Sequence, residues 1–170
     1  MKRLNKFCED INYYCIINDI LDNKKFNMMS ECKHHGLTRL DHSFKVSYYS
    51  YKIAKKMNLN YRAVARAGLL HDFFIDGDLN GGKEKLSVFF HPYKSLENSE
   101  NYFCLNDIEK DIIITHMFPT LPHKVPKYLE SWLVSLVDKI VAIYEFYCSY
   151  GKPCVYRFSN IYIFLLLFLR

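Results

Sequence analysis

The stretch AGLLHDFF, residues 67–74, ends an apolar run with a histidine and an aspartate side by side. Burying an unpaired charge is costly, so His71 and Asp72 need a shared partner. Other polar side chains sit in similar places. His42 lies one turn before Val46, on a stripe with Tyr49, Ile53 and Met57. His116 follows Ile108 and Ile112 at four-residue steps, and Asp138 is flanked by Val134 and Val141. His91 stands just before Pro92, at what reads as the start of a helix. Each of these alone reads as a hydrogen-bonded core residue, or, for His91, as a helix-start residue. Together they would load one core with six polar groups. A bound divalent metal satisfies them jointly, because imidazole nitrogens and carboxylate oxygens are its natural ligands and its charge offsets the burial of aspartate.

Amphipathic helices must bring these residues together. A first helix is expected over residues 4–21, with Leu4, Phe7, Ile11, Tyr14, Ile17 and Leu21 near helical spacing. MMSECKHHGLTR reads as a loop, after which Thr38 or Asp41 caps the helix carrying His42. NLN, residues 58–60, breaks the pattern, and Asn60 caps a helix running to about Phe73. Val64, Ala67 and His71 share a face there, and small residues at 63, 65, 67 and 68 indicate close packing. DGDLNGG is a turn-rich loop. Pro92 suits the first turn of another helix with Leu96 and Phe103 inward. Asn106 and Glu109 form a capping-box pattern that opens the helix leading to His116. FPTLPHKVP is an irregular connection. The last clear helix begins near Pro126, with Leu129, Leu133, Leu136, Ile140 and Ile143 on one stripe and Val134, Asp138 and Val141 on the next.

The whole chain is consistent with such a core. Its 170 residues are half hydrophobic and about a quarter charged, a globular composition. Few breakers favour helices over a strand-rich sandwich. The net charge of +5 is modest and spread along the chain, which suits an anionic small molecule and gives no nucleic-acid motif. No stable nucleic-acid complex is expected. Six cysteines without a CxxC pair, and no secretory signal, read as reduced thiols in a cytoplasmic protein. The tail IYIFLLLFLR is very apolar but far short of the roughly 20 residues of a spanning helix. It is expected to pack on the domain or on a partner, with membrane association as the alternative.

The order His42, then His71-Asp72, then Asp138, on successive helices, resembles the HD-domain superfamily of metal-dependent phosphohydrolases. RLDHS, residues 39–43, is similar to that family's first motif, and AGLLHDFF to its name-giving second motif. The likeness runs roughly from Arg39 to Asp138. It implies an all-α HD-domain bundle of about six to seven helices. Residues 1–170 are expected to form a single domain, with its core at about 35–147 and an apolar tail at 155–170. The resemblance also implies a metal held by His42, His71, Asp72 and Asp138. In members with two metals, further histidines lie between the HD pair and the last aspartate, where His91 and His116 stand. By that likeness Asp72 bridges two divalent transition-metal ions, and His91 and His116 complete the second site. The GYP motif of the cyclic-dinucleotide subgroup is missing. Phe73-Phe74 follow the pair where many HD enzymes have a smaller residue and glycine. These departures leave the substrate open.

The expected reaction is hydrolysis of a phosphomonoester or phosphodiester, in a nucleotide, by a metal-activated hydroxide. Asp72 ligates or bridges the metals, and Arg39, one turn before His42, clamps phosphate; a surface salt bridge is its alternative role. Mixed histidine and carboxylate ligands suit Mn, Fe, Co, Ni or Zn. Two rivals use the same residues: a di-iron oxygenase of similar fold, and a non-catalytic module that senses a nucleotide. His34, His35 and His123 read as exposed loop residues, and Lys83, Lys85 and Lys139 as solvated cations.

Overall fold

The computed structural model of the chain describes residues 10–31, 33–34, 37–75 and 84–150. The expected helix at 4–21 therefore lies partly outside the described residues, and the tail from 155 lies wholly outside them. Among the described residues there are seven α-helices: α1 (Ile11–Leu21), α2 (Lys24–Asn27), α3 (Arg39–Lys56), α4 (Tyr61–Leu70), α5 (Glu84–Tyr102), α6 (Asp107–Thr115) and α7 (Leu129–Tyr150). The protein is an all-α bundle. The segment expected as a loop holds a 3-10 turn, Met28–Glu31, and a short antiparallel pair, β1 (Lys33–His34) with β2 (Leu37–Thr38). No described helix is long and apolar enough to cross a membrane.

The helix starts follow local chemistry. Thr38 caps α3 by accepting from the Asp41 amide, and Asn60 caps α4 by accepting from the Ala63 amide. Asn106 and Glu109 close a reciprocal capping box at α6. NLN works as a two-way break. Asn58 takes a left-handed conformation, φ 54°, just past the end of α3, and Asn60 then opens α4.

α3 packs along α4 and against α7, while α6 packs on α4, α5 and α7. The core lies between them, around Tyr13, Ile17, Val46, Val64, Leu69, Ile112, Ile113 and Val134. Gly68 explains how closely α4 approaches α3: a Cβ there would stand 2.9 Å from the Ser47 Cα. Ser47 Oγ in turn donates to the Ala65 carbonyl at 2.6 Å and meets Tyr13 Oη at 2.7 Å, linking α1, α3 and α4.

One expectation is corrected. Pro92 is not in a first turn; α5 begins at Glu84 and Pro92 lies inside it. A proline removes one amide donor and disfavours its own i−4 contact, and a helix packed on its neighbours can continue through that loss. In α7, Val134, Val137, Asp138 and Val141 are buried, whereas Leu129, Leu136 and Ile143 face outward. Both stripes are apolar, so hydropathy alone does not choose between them. The side that turns inward is the one that brings Asp138 and Glu145 to His42, where both carboxylates are paired.

Candidate metal centre

The expected site residues converge from five places in the fold. His42 is in the first turn of α3, His71 caps the C-terminus of α4 and Asp72 follows it. His91 is inside α5, His116 caps the C-terminus of α6, and Asp138 is in α7. All four histidines and Asp138 are buried. The four imidazole rings form a chain of tilted to edge-on contacts, with centroids 5.5 Å apart for His42–His71, 4.9 Å for His71–His116 and 5.0 Å for His91–His116.

The two C-capping histidines use one device. His71 Nδ1–H donates to the Gly68 carbonyl at 2.8 Å, and His116 Nδ1–H donates to the Ile113 carbonyl at 2.7 Å. A carbonyl can only accept, so each bond fixes the proton on Nδ1 and leaves Nε2 as a lone pair in the neutral ring. Each bond also satisfies a carbonyl of the last helical turn. Both Nε2 atoms are thereby prepared to bind a cation. Burial first, and then the nearby His71 and His91, push His116 down to about 3, which keeps it in its ligand form.

Asp72 stands where the two halves of the cluster meet. Its Oδ2 is 3.7 Å from His71 Nε2, and its Oδ1 is 3.4 Å from His91 Nε2 and 3.6 Å from His116 Nε2. His42, His71 and Asp72 form one set whose ligand atoms lie within 4.8 Å of one another; Asp72, His91 and His116 form another. Two buried atoms of the cluster, His71 Nε2 and Asp72 Oδ1, have no hydrogen-bond partner. Such atoms cost free energy unless something else binds them. A divalent cation does so, and the residues fit one. Burial opposes ionisation of Asp72, but the charge of His71 and then of the other imidazoles outweighs it and holds the carboxyl well below the usual range. The Asp72 side chain keeps 16% of its surface open, so solvent and a ligand can reach the cluster at this carboxylate.

His42 is held from both sides. Its Nδ1 is 2.8 Å from Glu145 Oε2 and its Nε2 is 3.0 Å from Asp138 Oδ1. Two carboxylates around one imidazole require a proton on each nitrogen or a cation at one of them. Burial disfavours the charged ring, but the bonds to Asp138 and Glu145 outweigh it and raise His42 to about 10. Glu145 also accepts from Lys45 Nζ at 2.5 Å. The Asp138 carboxyl is held well below the usual range; burial opposes this, and the bond to His42 leads the effects that win.

Glu145 escaped the sequence reading. It falls two turns after Asp138 on the same face of α7, and that seven-residue spacing was the available signal. Lys139 differs from expectation too. Instead of being solvated, it donates to the His116 carbonyl and stands 3.3 Å from Asp138 Oδ2. Arg39 is buried, and not a surface residue. Its guanidinium donates to the Phe74 carbonyl at 2.8 Å and stacks on the Phe74 ring, which lies against His91. His123 is exposed as expected. The side chains of His34, His35, Lys83 and Lys85 lie outside the described residues.

A model of the HD domain family matches residues 39–143, from Arg39 at the start of α3 to beyond Asp138. The chain belongs to the HD domain family. HD domains bind divalent metals and are largely metal-dependent phosphohydrolases. The match spans the helices that carry all six clustered residues, while Glu145 lies just past its end. Comparison with curated proteins and with solved structures found no match.

Proposed function

We propose that this HD domain is a phosphohydrolase that cleaves a phosphomonoester or phosphodiester of a small phosphorylated substrate, a nucleotide. Two divalent transition-metal ions, from among Mn, Fe, Co, Ni and Zn, would be held by His42, His71, Asp72, His91, His116 and Asp138. The observation that carries this reading is the position of Asp72, whose carboxylate belongs to both ligand sets and keeps an unpartnered buried oxygen. A divalent ion in such a site lowers the pKa of a bound water and offsets charge on phosphoryl oxygens.

The chain's own groups prepare that chemistry. His71 and His116 both direct Nε2 into the cluster because backbone carbonyls hold the Nδ1 protons, and burial keeps His116 unprotonated there. Asp72 and Asp138 remain ionised and supply negative charge that favours cations. Lys139, beside Asp138, and Arg39, stacked on Phe74 next to His91, provide positive charge for the substrate phosphate. Arg39 is the proposed phosphate clamp, with Phe74 as its platform. We place the chain in the cytoplasm as one domain over residues 1–170; the free Cys15, Cys104 and Cys148 support a reducing compartment.

The test is release of phosphate or nucleoside by the metal-loaded protein across a panel of phosphomonoesters, linear diesters and cyclic nucleotides. Turnover that disappears with a chelator and returns with metal supports the reading. Oxygen consumption by an iron-loaded protein that hydrolyses none of the panel would contradict it.

A further inference from the structure

Lys139 stands between the two halves of the metal cluster. Its ammonium donates to the His116 carbonyl, 23 residues away at the C-terminal end of α6, and to Asp138 Oδ2 at 3.3 Å. These acceptors belong to different halves. Asp138 Oδ1 lies 3.0 Å from His42 Nε2 and 3.7 Å from His71 Nε2, whereas His116 forms a ligand set with Asp72 and His91. An ammonium has donors and no lone pair, so Lys139 cannot itself bind a cation while it makes these bonds.

Each bond fixes an atom that the cluster needs. The two oxygens of Asp138 are divided, Oδ1 towards the histidines and Oδ2 towards Lys139. A charge-assisted bond on Oδ2 holds the carboxylate against rotation and keeps Oδ1 on the cluster. The carbonyls at the end of a helix lack partners within it. That of His116 receives Lys139 Nζ and also Ser135 Oγ at 2.9 Å, the Ser135 proton being shared with the Phe118 carbonyl at 2.8 Å. The His116 ring is held in turn by its Nδ1–H bond to Ile113. Backbone and ring are thus both fixed, with Nε2 left 3.6 Å from Asp72 Oδ1.

We propose that Lys139 is a positioning residue that links the two ion sites, holding Asp138 for one and His116 for the other. This role rests on the two-ion reading of the cluster. Its sign is opposite to that of plain electrostatics. A positive charge that merely stands beside a cation site repels the cation, so removing it would tighten binding. Removing a contact that orients the ligands loosens binding by about tenfold or more.

Cobalt(II) titration of the purified full chain, followed by its visible absorption, separates the two cases without any phosphoester. Lys139→Met keeps the length of the side chain and removes its charge and donors. Lys139→Gln, shorter and neutral, cannot hold both acceptors and serves as the second variant. Circular dichroism checks helicity in each. Both variants should bind each of the two ions about tenfold or more weakly than the parent, with an altered cobalt absorption spectrum. Affinities equal to or tighter than the parent's in a folded variant overturn the proposal, as does weakening of one ion alone. Stoichiometry in the parent reports on the cluster, and the variants report on Lys139. A parent that binds two ions and hydrolyses no phosphoester would therefore remove the hydrolase reading and leave this role standing. A parent that binds fewer than two would overturn both.

Discussion

His42 and Glu145 are 103 residues apart in sequence, and His42 Nδ1 lies 2.8 Å from Glu145 Oε2. With Nδ1–H committed to that carboxylate, the ring can turn Nε2 only towards Asp138 and the rest of the cluster. This is the arrangement by which a carboxylate fixes the orientation and raises the basicity of a ligating histidine. Glu145→Gln should therefore weaken metal binding by about 10- to 100-fold, with helicity unchanged. Competition against a chromophoric chelator measures this, and an affinity equal to the parent's would remove Glu145 from the site's support.

The metal-free protein should show a two-sided dependence of stability on pH. His42 is raised from 6.5 to about 10, so the folded chain holds a proton that the unfolded chain gives up. Its contribution is complete below pH 6.5 and is lost as the pH rises towards 10. His71, also raised, acts in the same direction. His116 is depressed from 6.5 to about 3, so its contribution is present above pH 6.5 and is lost as the pH falls towards 3. Asp138 and Glu145, both lowered, add to the acid side. The melting temperature of chelator-treated protein should peak near pH 6.5 and fall on both sides. Saturating metal should flatten the alkaline side, because metal replaces the proton there. A metal-free melting temperature that climbs steadily from pH 6.5 to 10 would contradict the buried proton at His42.

Gly68→Ala sets two effects against each other. Alanine favours a helix over glycine by roughly 1 kcal/mol. The new Cβ, however, would stand 2.9 Å from the Ser47 Cα, which is backbone and cannot swing away. Overpacking of that kind costs about 1–3 kcal/mol, so net destabilisation is expected. Because the Gly68 carbonyl also holds His71, metal affinity should fall along with the melting temperature. A variant more stable than the parent would show that α3 and α4 can separate freely.

How much of this was legible in the sequence depended on whether the signal was local. Thr38, Asn60 and the Asn106–Glu109 pair announce helix starts because capping involves residues only three apart. His71 and His116 were legible as inward residues from their apolar stripes. That their Nδ1 atoms bind carbonyls three residues back depends on a cap geometry the stripe does not encode. Pro92 was misjudged, and the orientation of α7 was left open, for tertiary reasons. A proline can sit within a helix that its neighbours support, and a helix with two apolar faces is oriented only by what it packs against. Glu145 went unnoticed because its partner, His42, is 103 residues away in the sequence.

Asp72→Ala should abolish hydrolysis, since it removes the carboxylate common to both ligand sets. His123→Ala is the matched control: His123 is exposed in the connection before α7 and should change the rate little. Helicity and melting temperature accompany both rates, so that loss of fold is not mistaken for loss of chemistry. An Asp72→Ala protein that stays folded and turns over substrate at the parent rate would contradict the mechanism.

The central claim is a two-ion centre shared through Asp72, and elemental analysis of the purified, metal-saturated protein tests it most directly. The parent should carry two transition-metal ions per chain, and a His91→Ala, His116→Ala variant should fall to one, because His42, His71, Asp72 and Asp138 remain. A parent that saturates at one ion, with the double variant unchanged from it, would contradict the two-ion centre.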